Sequence, residues 1–353
     1  MVLALPLQTY AEIQRIDKEY YNQILKIVEE NYVDRIPKEN LKGSIKDIFN
    51  NLDNHSDYYN KEEYSKLQEV LNGNFVGIGA YITEENGYIK VVRPIKNSPA
   101  EKAGLLPGDI ISTVDGKITR GMTADEATKL IKGEKDTVVN LRIRSGNVTK
   151  IRNIQRKEIQ MNPVYYEVID GIGYIKLDQF TNTSYKYISE ALRYMDKNNI
   201  EKIVLDLRDN PGGYLDQAIN IANLLVPKGP VVHIKYKNQG IVTYNSYLDK
   251  VKYNLVVLVN ENSASASEIL AGAIQDRKAG KIVGVPTFGK GTVQEVITLP
   301  KGDGIKLTVA EYFSPKMRKI NGKGITPHII VENLEGEDSQ LKTALELLSY
   351  LSF

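Results

Sequence analysis

The sequence predicts an α/β core, interrupted by a small β-rich module and flanked by helical segments. Three observations support this. After Pro163, short apolar runs alternate with helical patterns. From Gly73 to Lys157 the texture changes to short alternating runs with turn dipeptides, and both ends of the chain carry helical spacing.

The first region, 1–72, contains "TYAEIQRIDKEYYNQILKIVEENYV", which places Ile13, Ile16, Tyr20, Ile24 and Ile27 on one helix face. That face is expected to pack on the rest of the chain or on a second subunit. The module, 73–157, reads "FVGIGAYITEENGYIKVVRPI", "SPAEKAGLLPGDIISTVDGKI", a helix "TADEATKLIKG" and "TVVNLRIRSGNVTKIRNIQR", with Asn86-Gly87 and Asp115-Gly116 as turns. In the core, 158–332, "GIGYIKL", "KIVLDLR" and "NLVVLVN" each precede a helical pattern. Such continuously apolar strands suit a parallel sheet covered on both faces. "KIVGV" and "TVQEVITL" add strands, and 333–353 closes the chain with the amphipathic helix "QLKTALELLSYL".

Composition narrows the function. A formal charge of +2 over 353 residues, without a basic stripe, argues against a nucleic-acid partner. The absence of cysteine excludes thiol catalysis and thiolate metal sites, and three histidines make a metal centre or other cofactor site unexpected. "MVLALPL" is too short to span a membrane or to be a complete signal peptide, so either the protein is cytosolic or an export segment has been removed.

"GVPTFGKG" (284–291) is a near-miss of a phosphate-binding loop: Gly291 stands where a Ser or Thr should hold magnesium. The lysine therefore needs another use. Parallel α/β sheets gather chemistry at the carboxyl ends of their strands. "DLRDNPGGYL", "NENSASASEI" and "PTFGKG" all arrive there. A helix starting near Ser265 runs roughly 20 Å away and the return strand recovers roughly 17 Å, which delivers Lys290 back to the helix start.

A serine at a helix N-terminus facing a lysine suits serine-lysine hydrolysis, provided that the lysine is neutral. An ordinary lysine is neutral at pH 7 about once in 2,500 molecules, so this costs about 4.6 kcal/mol, which desolvation can supply. Val285, Pro286, Phe288 and Val293 are its apolar neighbours. Gln294 is expected on the same face, offering a neutral acceptor. Ser263, Ser265 and Ser267 all remain candidates for the nucleophile, although serines in this position are usually helix caps. "NPGG" supplies a candidate oxyanion hole from the Gly212 or Gly213 amide with that of Ala266. His55, His233 and His328 lie outside these turns, which disfavours a histidine-dependent hydrolase.

The stretches "FVGIGAYI", "SPAEKAGLLPGDIISTVDGKI", "LDLRDNPGGYL", "NENSASASEILAGAIQDRKAGKIVGVPTFGKGTVQE" and "NGKGITPHIIVE" resemble the carboxyl-terminal processing proteases, PDZ-containing serine-lysine endopeptidases, over about residues 50–332. The resemblance implies a crotonase-like core with a PDZ domain. It places the nucleophile on Ser265, the general base on Lys290 and the lysine-orienting glutamine on Gln294. It also implies that Gly77, Ile78, Gly79 and Ala80 form the loop receiving a peptide's C-terminal carboxylate, with a side-chain groove between "AYIT" and the helix holding Leu130. Substrates would be unstructured protein tails with accessible C-termini. Further implications are an extracytoplasmic, exported or membrane-anchored protein and a homodimer formed through terminal helices. His328 departs from the acidic residue expected in "GITPD" and reads as surface variation. The competing expectation is a PDZ scaffold that binds C-termini around an inactive protease-like core.

Overall fold

In the computed structural model, the backbone of residues 7–350 and the side chains of residues 18–350 are described. The apolar runs after Pro163 form one six-stranded sheet in the order Val164–Ile169, Ile172–Leu177, Lys202–Asp206, Asn254–Val259, Lys281–Gly284 and Ile329–Ile330. Its first pair is antiparallel and the others are parallel. Both faces are covered, as such runs require. Ile175, Ile203, Leu205 and Val257 share a core with the helices Ser184–Lys197, Leu215–Leu225 and Ala266–Asp276. On the other face Tyr174, Val204, Val256 and Val283 pack with Ala344 and Leu348 of the C-terminal helix Ser339–Tyr350.

The strand Thr292–Thr298, expected to extend this layer, belongs to a second sheet. It pairs antiparallel with Gly304–Phe313, which also pairs with Asp57–Tyr59 and with the hairpin Gly229–Tyr236 and Gly240–Ser246. Residues 304–313 therefore bring the N-terminal segment, the hairpin and the strand following Lys290 together.

The chain divides into two compact units, Gly73–Met161 and the remainder. The smaller unit runs past the expected boundary at Lys157, because Lys157–Gln160 pairs with Asn74–Gly77. Its main sheet has Ala80–Glu85 at one edge, followed by Tyr88–Pro94, Ile110–Val114, Val138–Ser145 and Val148–Gln155. Ile89, Ile111 and Leu141 pack on Ala127 and Ile131 of the helix Ala124–Ile131. Thr123 and Glu126 cap that helix reciprocally, and Arg156 donates to the carbonyls of Leu130 and Ile131 at its far end.

The N-terminal helix Leu7–Asn31 buries Ile24 and Val28 completely in the core of its own chain, with Tyr20 and Ile27 packed beside them. This part of the predicted apolar face is thus used within the chain; Ile13 and Ile16 lie outside the described side chains. His328 proves more than surface variation: its Nδ1 accepts from the Ile282 N–H at 3.0 Å and its N–H donates to the Ile282 carbonyl, fastening the last strand to the sheet. No helix among the described residues is long and apolar enough to cross a membrane.

Gly284 ends its strand at φ +133°, where a Cβ would lie 1.9 Å from the Val259 carbonyl oxygen. Gly284→Ala is expected to destabilise the protein by about 3 kcal/mol or more, measured by denaturant unfolding.

Candidate active site

The three strand-to-helix segments converge as expected, and buried Asn210 stitches the first two together. Its carbonyl accepts from the Ala264 N–H and the Ser267 hydroxyl, while its side chain accepts from the Gly212 N–H and donates to the Leu177 carbonyl. Gly212, at φ +97°, packs so closely on the serine turn that a Cβ would lie 2.8 Å from the Ser265 Cβ. The Phe288 N–H donates to the Ser263 carbonyl and joins the third segment.

The three candidate serines part company here. Ser263 and Ser267 are fully buried, and their hydroxyls donate to the carbonyls of Leu207 and Asn210. Ser265 is partly exposed and lines a cavity of about 1000 Å³. It precedes the helix Ala266–Asp276 with φ +55° and ψ −113°, a costly conformation for a residue with a Cβ.

Glu268, in the first turn of that helix, is fully buried and holds the turn in place. One carboxylate oxygen accepts from the Thr287 hydroxyl at 2.6 Å and the Gly289 N–H at 2.7 Å; the other accepts from the Ser265 N–H at 2.8 Å and the Lys290 N–H at 2.9 Å. Burial pushes this carboxyl above its usual pKa, whereas these hydrogen bonds pull it down. Four donors occupy its four lone-pair positions, the hydrogen-bonding pattern that satisfies an ionised carboxylate even though burial leaves its pKa raised. The glycine-rich loop thus does bind an anion, namely a side chain of its own chain. Buried Tyr312 adds a second link, its hydroxyl within hydrogen-bonding reach of the Ser265 carbonyl at 3.1 Å and of the Lys290 carbonyl.

Lys290 is half-buried in the same cavity. Burial chiefly lowers its pKa and the neighbouring Lys306 charge adds to this, while Asp53 and Glu268 act in the opposite direction. The apolar shell differs from the expected one: Pro286 is exposed and Phe288 is 62% exposed, so neither shields the amine. Val293 lines the cavity as expected, joined by Val309, Tyr312 and Ile269. Gln294 also lines it, with its amide nitrogen donating to the hydroxyls of Thr292 and Thr308. Among the described residues, no hydrogen bond joins the Lys290 amine to the Ser265 hydroxyl or to Gln294. The expected oxyanion donors separate as well. The Gly212 N–H is engaged by Asn210, whereas those of Gly213 and Ala266 find no acceptor among the described residues.

A peptidase family S41 model matches residues 171–331 and a PDZ-domain model residues 90–145. A carboxy-terminal-processing protease of Bartonella bacilliformis is 37% identical over 335 residues, covering 92% of this chain and 76% of that protein. The chain belongs to the carboxy-terminal-processing proteases of peptidase family S41. A probable CtpA-like serine protease of Staphylococcus aureus is 35% identical over 337 residues, with 92% of this chain and 67% of that protein covered. The solved photosystem II D1 C-terminal processing protease matches with a TM-score of 0.55 at 29% identity, covering 89% of this chain and 92% of its own.

In the PDZ domain of this S41 peptidase, Gly77 to Ala80 joins Asn74–Gly77 to the edge strand Ala80–Glu85. The carbonyls of Ile78 and Gly79 accept from the Ala100 and Ile95 N–H groups, which fixes the loop. Gly79 sits at φ +78° against Ser98, so a side chain there is excluded. Ala80 and Ile82 of the edge strand and Leu130 of the helix line the domain's core beside an open strand edge.

Several residues around the cavity of Ser265 and Lys290 escaped the sequence reading. The spacing of Ser265 and Glu268 is a capping-box signature that could have revealed the carboxylate. No local signal points to Asp53, His55, Lys306 or Thr308. Burial chiefly lowers the His55 pKa, and the nearby Lys290 charge lowers it further.

Glu268→Gln would turn an NH₂ group toward N–H donors. It is expected to lower stability by about 3 kcal/mol and to abolish detectable peptidase activity; thermal unfolding and peptide cleavage check both.

Proposed function

We propose that this S41 protease cleaves unstructured protein tails through an acyl-enzyme formed on Ser265, with Lys290 as general base. The observation carrying this reading is that one buried carboxylate accepts from the backbone N–H groups of both residues, within a cavity whose burial favours a neutral lysine. In this mechanism the neutral amine takes the Ser265 hydroxyl proton as the oxygen attacks the scissile carbonyl carbon. The N–H groups of Gly213 and Ala266 receive the resulting oxyanion. As the intermediate collapses, the Lys290 ammonium returns the proton to the departing amine. Lys290 then deprotonates a water, which hydrolyses the serine ester and restores the hydroxyl.

Substrate capture is assigned to the PDZ domain. A peptide's C-terminal carboxylate would meet the loop Gly77, Ile78, Gly79 and Ala80, and its last residues would add as a strand to the open edge of Ala80–Glu85. An extracytoplasmic location and pairing of two copies through terminal helices belong to the same reading. The pairing is motivated by exposed Leu334, which precedes the C-terminal helix, and exposed Tyr350 at its end.

Ser265→Ala and Lys290→Ala are each expected to lower cleavage of an unstructured tailed peptide by about 10³-fold or more; wild-type rates in either would refute the mechanism. Because the base must be neutral and its pKa is lowered, the kcat/KM profile should fall as pH drops through a value below the ordinary lysine pKa of about 10.4. Amidating the peptide's C-terminus should weaken binding by about tenfold or more, as measured by calorimetry with the Ser265→Ala protein.

A further inference from the structure

This inference rests on the assignment of Lys290 as base and Gln294 as its orienting partner, and concerns what orients Gln294. An amide can face an amine in two ways. Its oxygen accepts an N–H and leaves the amine's lone pair free, whereas its NH₂ group donates into the lone pair and quenches the base.

The hydrogen bonds around Gln294 have only one consistent direction. Asp53, 241 positions earlier in the sequence, accepts through Oδ2 from the Thr308 hydroxyl at 2.7 Å. Its Oδ1 accepts from the N–H groups of Ser56 and His55 at 2.9 and 3.3 Å. An ionised carboxylate has no proton to give, so the single Thr308 hydroxyl proton is committed to Asp53. The Thr308 oxygen is then left as an acceptor, which the Gln294 amide nitrogen fills at 3.1 Å. The second Gln294 N–H goes to the Thr292 hydroxyl at 2.9 Å. Both amide protons are thus occupied, and the oxygen is the end that remains for Lys290 in their shared cavity.

Thr308 is itself held from the N-terminal region. Its N–H donates to the Ser56 hydroxyl at 3.0 Å and its carbonyl accepts from the Val33 N–H at 2.9 Å. We propose that Asp53 is a positioning residue for the base: acting through Thr308, it fixes which end of the Gln294 amide is presented to the Lys290 amine.

The relay has an electrostatic consequence. Lys290 is influenced by Lys306, Asp53 and Glu268, and its own charge acts on His55; Asp53 also influences Tyr32 and His55. Asp53 raises the Lys290 pKa, which opposes the neutral form that the base needs. Neutralising Asp53 therefore has two separable effects: it eases deprotonation of Lys290 and releases the orientation of Gln294.

The test compares Asp53→Asn, Thr308→Val and Thr308→Ser with wild type in the full chain, alongside Ser265→Ala and Lys290→Ala. Tailed-peptide cleavage is followed across pH, and thermal unfolding is measured for every variant. Asp53→Asn can retain the oxygen facing Ser56 and His55 while turning an NH₂ group toward Thr308, which reverses the relay. Asp53→Asn and Thr308→Val are expected to lower kcat about tenfold or more with KM within about twofold. Thr308→Ser, which keeps the hydroxyl, is expected to retain nearly wild-type kcat. In Asp53→Asn the acidic limb of the pH profile should move to lower pH, a change that a purely structural role would not produce. Wild-type kcat and an unmoved limb in Asp53→Asn would overturn the proposal, as would Thr308→Ser as impaired as a folded Thr308→Val. If Thr308→Val does not fold, Asp53→Asn decides. A fully active Lys290→Ala would instead refute the serine-lysine assignment itself.

Discussion

The buried carboxylate of Glu268 is the constraint on which the candidate site depends. Removing an ionised carboxylate from water costs several kcal/mol unless hydrogen bonds replace its hydration. Here the Thr287 hydroxyl and three backbone N–H groups do so, and the group also lies in the first turn of a helix, where the dipole favours negative charge. Because those N–H groups belong to both the serine turn and the lysine loop, one charge fixes two segments that leave neighbouring strands of the parallel sheet. The strained backbone of Ser265 persists because its N–H is bound by Glu268, its carbonyl lies within reach of Tyr312 and its side is pressed by Gly212.

Around Lys290 the electrostatics are balanced rather than one-sided. Burial and Lys306 favour the neutral amine, while Asp53 and Glu268 favour the ammonium. A base must lose its proton to accept one from serine, and a general acid must hold it to protonate the leaving amine. Opposed influences of this kind suit a group that alternates between the two states. The carboxylates also bind neighbouring backbone and hydroxyl groups, so their electrostatic cost to the neutral lysine accompanies the order that they impose.

Much of this organisation was legible in the chain. Lys202–Asp206, Asn254–Val259 and Lys281–Gly284 announced a parallel layer through unbroken apolar runs, and the length of the helix Ala266–Asp276 was enough to return Lys290 to the serine. Other features were hidden because their cause is not local. Thr292–Thr298 reads as one more strand of the same layer, yet its partner is Gly304–Phe313 in a separate antiparallel sheet. Pro286 and Phe288 are apolar and adjacent in sequence to Lys290, but they are exposed, and side chains from other strands and helices enclose the cavity. Ser263 and Ser267 are set apart from Ser265 by burial and by carbonyls of another strand-to-helix turn that take their hydroxyls.

By itself the sequence determined the α/β class, the small β-rich unit and the meeting of three turns at one sheet edge, because period, strand length and helix rise are properties of the local chain. The tertiary structure alone decided what those turns can do. Which serine is open, which glycine amide is unengaged and which carboxylates surround the lysine all depend on hydrogen bonds between segments up to 255 positions apart, as from Asp53 to Thr308. Such bonds are selected by burial: a polar group removed from water must find a partner wherever the fold supplies one, and the local pattern of residues carries no record of where that will be.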